Sequence, residues 1–237
     1  YTKLLPILEE AEFSEATRLV VELLEAHGLP EDSRALLAKL MQSPHTDLQK
    51  FALRKMGDIG TPATVRTLVE QLGDADYRRR DVAASSLRKI PEARAALIKE
   101  LSTCADASKA WSIAELLPSF EGKWRQDTLD GLWQRLKDAI DNEDRIQTAF
   151  LHVLKQTDPA YVYQHLAEQG AKLVKAKKYK EAVGFLTPLK DFPEFKPENK
   201  FQLAAAQLKL HVHTVVSHKN HPAVELIADL CRNSAYP

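Results

Sequence analysis

Apolar residues recur every three or four positions along nearly the whole chain, the spacing of an α-helix with one buried stripe. In 14–27, SEATRLVVELLEAH, the pattern predicts a helix with Leu19, Val20, Leu23 and Leu24 on one face, Ser14 at its N-cap and Gly28 as its stop. Thr61 and Pro62 predict another helix start, Thr61 as cap and Pro62 at the first position, where a missing N–H costs nothing. That helix carries Val65, Leu68, Val69 and Leu72 and stops at Gly73. Breakers such as Pro44, Gly57, Gly60, Pro91, Pro118, Gly122 and Pro159 cut the pattern into helices of ordinary length. Alternating runs of strand length are absent from the sequence. Short amphipathic helices joined by short loops pack as antiparallel hairpins, so the expected class is all-α.

The hairpins repeat. QKFALRKM (49–56), RRDVAASSL (79–87) and AWSIAELL (110–117) align with Ala52, Ala83 and Ala114 in register, and RIQTAFLHVL (145–154) adds Ala149. A more apolar segment precedes each: 35–41, 64–72, 94–101 and 132–140. A small residue at a fixed place in each second helix predicts close approach of two helix axes there. One such hairpin cannot bury its stripe alone, and stacking its neighbours does so, which makes a solenoid.

The segment LGDADYRRRDVAASSLRKI (72–90) resembles the short HEAT-like repeats of phycobilisome lyases and many bacterial proteins. Leu72, Asp74, Asp76, Arg80, Ala83 and Leu87 stand where that pattern has Leu, Asp, Asp, Arg, Ala and Leu. One unit earlier, Gln49 stands where the pattern has Arg. The resemblance covers 36–157 and implies a right-handed α-α superhelix. Further on, QGAKLVKAKKYKEAVGFLTPL (169–189) resembles a tetratricopeptide hairpin, with Gly170, Leu173, Tyr179 and Ala182 at its small, large, aromatic and small positions. The expected organisation is a HEAT-like array with N-terminal capping helices over 1–157, then a tetratricopeptide-like hairpin and capping helix over 158–237. In that last helix Val224, Ile227, Ala228 and Cys231 fall on one face, expected to cap the stack.

Little in the sequence points to chemistry. It has no glycine-rich phosphate loop, no HExxH and no GxSxG, and its 8 glycines serve mostly as helix stops. Asp127/Asp130 and Asp141/Asp144 read as exposed acids at helix ends. Trp111, Trp124 and Trp133 read as packing between repeats. His211, His213, His218 and His221 cluster late without the convergence a metal needs, so neither a metal nor a cofactor is expected. Cys104 and Cys231 read as isolated thiols. No transmembrane run is present, which gives a cytoplasmic expectation; the chain opens on Tyr1 and reads as a fragment of a longer protein.

Charge is balanced, 33 basic against 33 acidic residues, but residues 1–32 hold 2 basic and 8 acidic groups while 33–110 hold 14 and 9. Arg78–Arg80 and Lys172–Lys180 are the densest basic runs and would be the contacts of a nucleic-acid-binding solenoid. Residues 31 apart should stack into surface rows: Lys50, Asp81, Ser112; Arg54, Ser85, Leu116; Asp47, Arg78, Lys109. These rows mix signs, which suits a protein surface better than a polyanion. The expected function is therefore non-enzymatic binding of a protein or peptide along the second helices, with Lys50, Arg54, Arg78, Asp81 and Lys109 as candidate contacts. Nucleic acid is the alternative partner, and the family likeness adds a lyase-type subunit holding a chromophore-accepting protein.

Overall fold

The computed structural model of the chain describes residues 2–9, 13–29, 33–142, 144–210 and 222–232. Every regular element among them is helical. The chain divides into two compact units, Tyr1–Lys123 and Trp124–Pro237. The division falls inside the stretch 1–157.

The first unit opens with a 3-10 segment, Thr2–Glu9, followed by α1 (Glu15–His27), α2 (Arg34–Met41), α3 (Thr46–Ile59), α4 (Pro62–Gln71), α5 (Tyr77–Leu87), α6 (Ala93–Thr103) and α7 (Ala107–Leu116). A short 3-10 turn, Leu117–Ser119, follows α7. Ser14 starts α1 with a reciprocal cap: its hydroxyl accepts the Thr17 N–H at 3.2 Å, and the Thr17 hydroxyl accepts the Ser14 N–H at 3.1 Å. The buried stripe of α1 is Thr17, Val20 and Leu24, whereas Leu19 is exposed. The α4 stripe is buried as expected, from Val65 through Leu68 and Val69 to Leu72.

Helices pair as α2/α3, α4/α5 and α6/α7, and the pairs stack: α4 packs on α6, and α3, α5 and α7 lie side by side. First helices and second helices thus form two layers, the arrangement of a HEAT-like solenoid. Ala52, Ala83 and Ala114 are wholly buried in the second layer. A close approach there involves a residue the sequence pattern took for a breaker. Gly57 lies inside α3, and a Cβ on it would sit 2.7 Å from Ser86 Cβ in α5. Gly60 is the true stop, at φ +63°.

The turn motif before α5 is a set of hydrogen bonds. The Asp74 carboxylate accepts the Asp76 N–H at 2.8 Å and pairs with Arg79 at 2.7 Å. Asp76 caps α5 by accepting the Arg78 N–H at 2.9 Å. Arg80 reaches back to the Asp74 carbonyl at 2.6 Å. One repeat earlier Gln49 does the same, donating to the Ser43 carbonyl at 2.6 Å.

The second unit holds α8 (Gln126–Asp141), α9 (Gln147–Thr157), α10 (Pro159–Lys175), α11 (Tyr179–Leu186), a 3-10 turn Thr187–Asp191, α12 (Pro197–Leu210) and α13 (Pro222–Arg232). Each helix packs on the next, and α11 also packs on α8. Ala149 in α9 is wholly buried, as its repeat position predicts. Between α10 and α11, Lys177 sits at φ 60°, a left-handed conformation that costs a residue with a Cβ. The α13 expectation is reversed: Ala223 and Leu230 are buried, while Val224, Ile227, Ala228 and Cys231 lie on the exposed side.

Candidate functional site in the second-helix layer

The second helices expose Asp47, Arg78, Asp81 and Ser85 of the rows that the 31-residue spacing predicts, but Leu116, expected in a surface row, is buried. Between α5 and α7 these rows border a groove of about 360 Å³. Asp81 and Ser85 line it from α5, and their repeat equivalents Ser112 and Leu116 line it from α7. Arg80 and Arg88 bring positive charge to it, Asp81 and Glu115 negative charge. Trp111 also lines it and remains 38% exposed. Tryptophan is among the residue types enriched at the centres of protein interfaces.

The five candidate contacts do not converge on one point. Asp81 lies in the groove. Lys50 and Arg54 occupy the equivalent rows on α3, where Lys50 lies 3.6 Å from Asp47 and Arg54 is held by Glu25 of α1, Nε to Oε1 3.0 Å. Arg78 is exposed at the start of α5, its guanidinium 5.7 Å from the Tyr77 ring centroid. The Tyr77 hydroxyl and the Asp76 carboxylate raise the pKa of Arg78 above the ordinary arginine value. Lys109 points elsewhere. It pairs with Glu100 of α6 and borders a separate groove of about 690 Å³ between α4 and α6. Gly73 opens the way, because a Cβ there would meet Lys109 Cβ at 3.3 Å.

Within the basic run 78–80, Arg79 and Arg80 are already engaged with Asp74, Gln49 and the turn carbonyls. Lys172, Lys175, Lys177, Lys178 and Lys180 are all exposed. The paired acids lie at or near helix ends and are exposed. Arg125 holds Asp127 at 2.7 Å and keeps its carboxyl below the usual range. Asp130 accepts the Tyr161 hydroxyl at 3.2 Å. Trp133 is core, edge-on to His165. No group of three or more His, Cys, Asp or Glu among the described residues could hold a metal, and the histidines at 211, 213, 218 and 221 lie outside them. Both cysteines are thiols, and burial raises the Cys104 pKa.

Arg88 and Glu115 were not singled out from the sequence, and Trp111, read there as packing between repeats, is instead 38% exposed. The signal for Trp111 was present: it occupies the position that earlier repeats fill with the polar Gln49 and Arg80.

Residues 1–88 match the family model of HEAT repeats. The match begins at the first 3-10 segment and ends at α5, whereas the sequence likeness was placed over 36–157. No curated protein and no solved structure matches the chain. No helix among the described residues is long and apolar enough to cross a membrane.

Proposed function

We propose that the chain is a non-enzymatic cytoplasmic scaffold that binds a protein or peptide along its second helices. HEAT-like repeats commonly act as protein-interaction scaffolds, a general role consistent with the match over 1–88. The observation that carries the proposal is the α5/α7 groove, which the partly exposed Trp111 lines together with Arg80, Asp81, Arg88 and Glu115. Buried on docking, the indole supplies apolar area at low entropic cost, and the mixed charges fix the orientation of the partner. Lys50, Arg54, Arg78 and Asp81 extend this contact along the second helices, whereas Lys109, turned into the α4/α6 groove, would meet a partner only if it reached that side as well.

The organisation proposed for the whole chain is a HEAT-like array over 1–157 and a tetratricopeptide-like hairpin over 158–237. Support for the second part comes from Gly170 in α10, buried against Leu186 of α11, and from Ala182, wholly buried in α11. These are the small positions of that motif.

A photo-crosslinking amino acid placed at Ser112 should attach a discrete polypeptide from cell extract, and the same reagent at Lys172 should not. Trp111→Ala should abolish the Ser112 adduct while leaving the helical circular dichroism intact. Equal adducts at both positions, or an adduct indifferent to Trp111→Ala, would refute the proposal.

A further inference from the structure

The second unit carries another groove, independent of the one above. It lies between α10 and the segment leading from the 3-10 turn Thr187–Asp191 into α12, and encloses about 690 Å³. Tyr163, Ala167, Phe192 and Pro193 give it apolar walls. Those walls are fixed in place. The Tyr163 hydroxyl accepts the Lys196 N–H at 2.9 Å and the amide of the buried Asn199 at 2.8 Å. The Tyr163 and Phe192 rings meet edge to face at 5.4 Å. A groove held by such contacts requires little ordering when a ligand enters, which favours affinity.

The rim is acidic. Glu168, Glu194 and Glu198 line the groove and are exposed, against the single cation Lys196. Glu168 accepts the Gln164 amide at 2.9 Å, while Glu194 and Glu198 join no ion pair among the described residues. The Lys196 ammonium lies 5.8 Å from the Tyr163 ring centroid, at the outer edge of cation–π distance.

Apolar walls under an acidic rim select for one chemistry. Nucleic acid and acidic peptides are repelled, a purely polar cation leaves the walls wet, and a purely apolar chain leaves the carboxylates without partners. We propose that this groove docks a peptide segment of a partner protein in which apolar side chains alternate with lysine or arginine. Apolar groups fill the space beside Tyr163 and Phe192, and cations meet Glu168, Glu194 and Glu198.

The test uses the whole chain and short fluorescein-labelled peptides of alternating leucine and arginine, leucine and glutamate, and serine and arginine. Fluorescence anisotropy at about 0.15 M salt should show saturable binding of the leucine–arginine peptide, with both others weaker by about tenfold or more. The triple change Glu168→Gln, Glu194→Gln, Glu198→Gln should weaken it by about tenfold as well. A control carrying Glu15→Gln, Glu22→Gln and Asp47→Asn should bind as the parent does. Trp111→Ala should also leave it unchanged, which separates this groove from the α5/α7 one. Absence of binding, equal binding of the serine–arginine peptide, or an equal loss in the control variant would overturn the proposal.

Discussion

Gly57 and Ser86 meet at a tight crossing of α3 and α5, so a methyl group there has nowhere to go. Gly57→Ala should destabilise the chain by about 1–3 kcal/mol through overpacking, read as a lower urea midpoint at unchanged slope. Ala83→Leu should cost a similar amount, because Ala83 is wholly buried, while Ser85→Ala on the exposed side should cost under about 0.5 kcal/mol. Equal losses for Ala83→Leu and Ser85→Ala would mean the helix faces are misassigned. The repeat alanines were legible in the sequence because their spacing depends only on the length of the hairpin. Gly57 was not, since a glycine near a helix end looks the same whether it stops the helix or admits a neighbour. Asp141 offers a test of charge. Although its side chain is exposed, loss of hydration around the carboxyl and the Glu181 carboxylate raise its pKa, so the folded chain holds this proton more tightly than the unfolded chain. The ionised form therefore costs stability near neutral pH, and the cost fades as pH falls through the folded pKa. Asp141→Asn should raise the melting temperature near neutral pH and give no gain in acid.

Caps and turns decide where each helix begins, and most of them were legible because they follow from local chemistry. Ser14 and Thr61 start their helices as their side chains predict. Asp76→Ala removes the hydroxyl-free cap of α5 and should cost about 0.5–2 kcal/mol in thermal melts. The loop between α10 and α11 was harder to foresee, since nothing in a lysine-rich run announces a left-handed residue at Lys177. That conformation costs a side-chain-bearing residue roughly 1–2 kcal/mol, offset in part by the extra chain entropy of glycine. Lys177→Gly should thus leave stability unchanged or raise it by up to about 1 kcal/mol. A clear loss would show that the lysine side chain itself holds the turn. Helix faces were the weaker inference at this scale. Leu19 and the Val224–Ile227 stripe of α13 are apolar yet exposed, because a wheel shows where apolar residues cluster and not which side meets a neighbour.

For the molecule as a whole, circular dichroism should report helix well above half of the residues. A strand content above about a tenth would contradict the described architecture. Nucleic-acid binding is the outcome that most sharply separates the proposed scaffold from its alternative. Phosphate contacts release counterions, so such binding collapses with salt. With no net formal charge, and Arg79 and Arg80 tied into a turn, the chain should bind labelled duplex or single-stranded oligonucleotides only weakly at about 0.15 M salt. Sub-micromolar affinity lost on Arg78→Glu, Arg79→Glu, Arg80→Glu would favour nucleic acid instead. The all-α class and the stacked hairpins were readable from periodicity alone. The groove was readable only in part: the rows containing Asp81 and Ser112 were marked by spacing, but Trp111, and the turning away of Lys109 past Gly73, depend on how neighbouring helices pack.

The shared behaviour of Gln49 and Arg80 bears on how such repeats are recognised and redesigned. Written as letters, the two positions disagree. Written as a task, they agree: a side chain long enough to span one turn must offer an N–H to a carbonyl six residues earlier. A vocabulary of functions would therefore treat glutamine and arginine here as synonyms and leucine as an error. The exchange is not free in both directions, because the Gln49 amide oxygen also accepts from Arg79 at 3.0 Å, which an arginine there could not do.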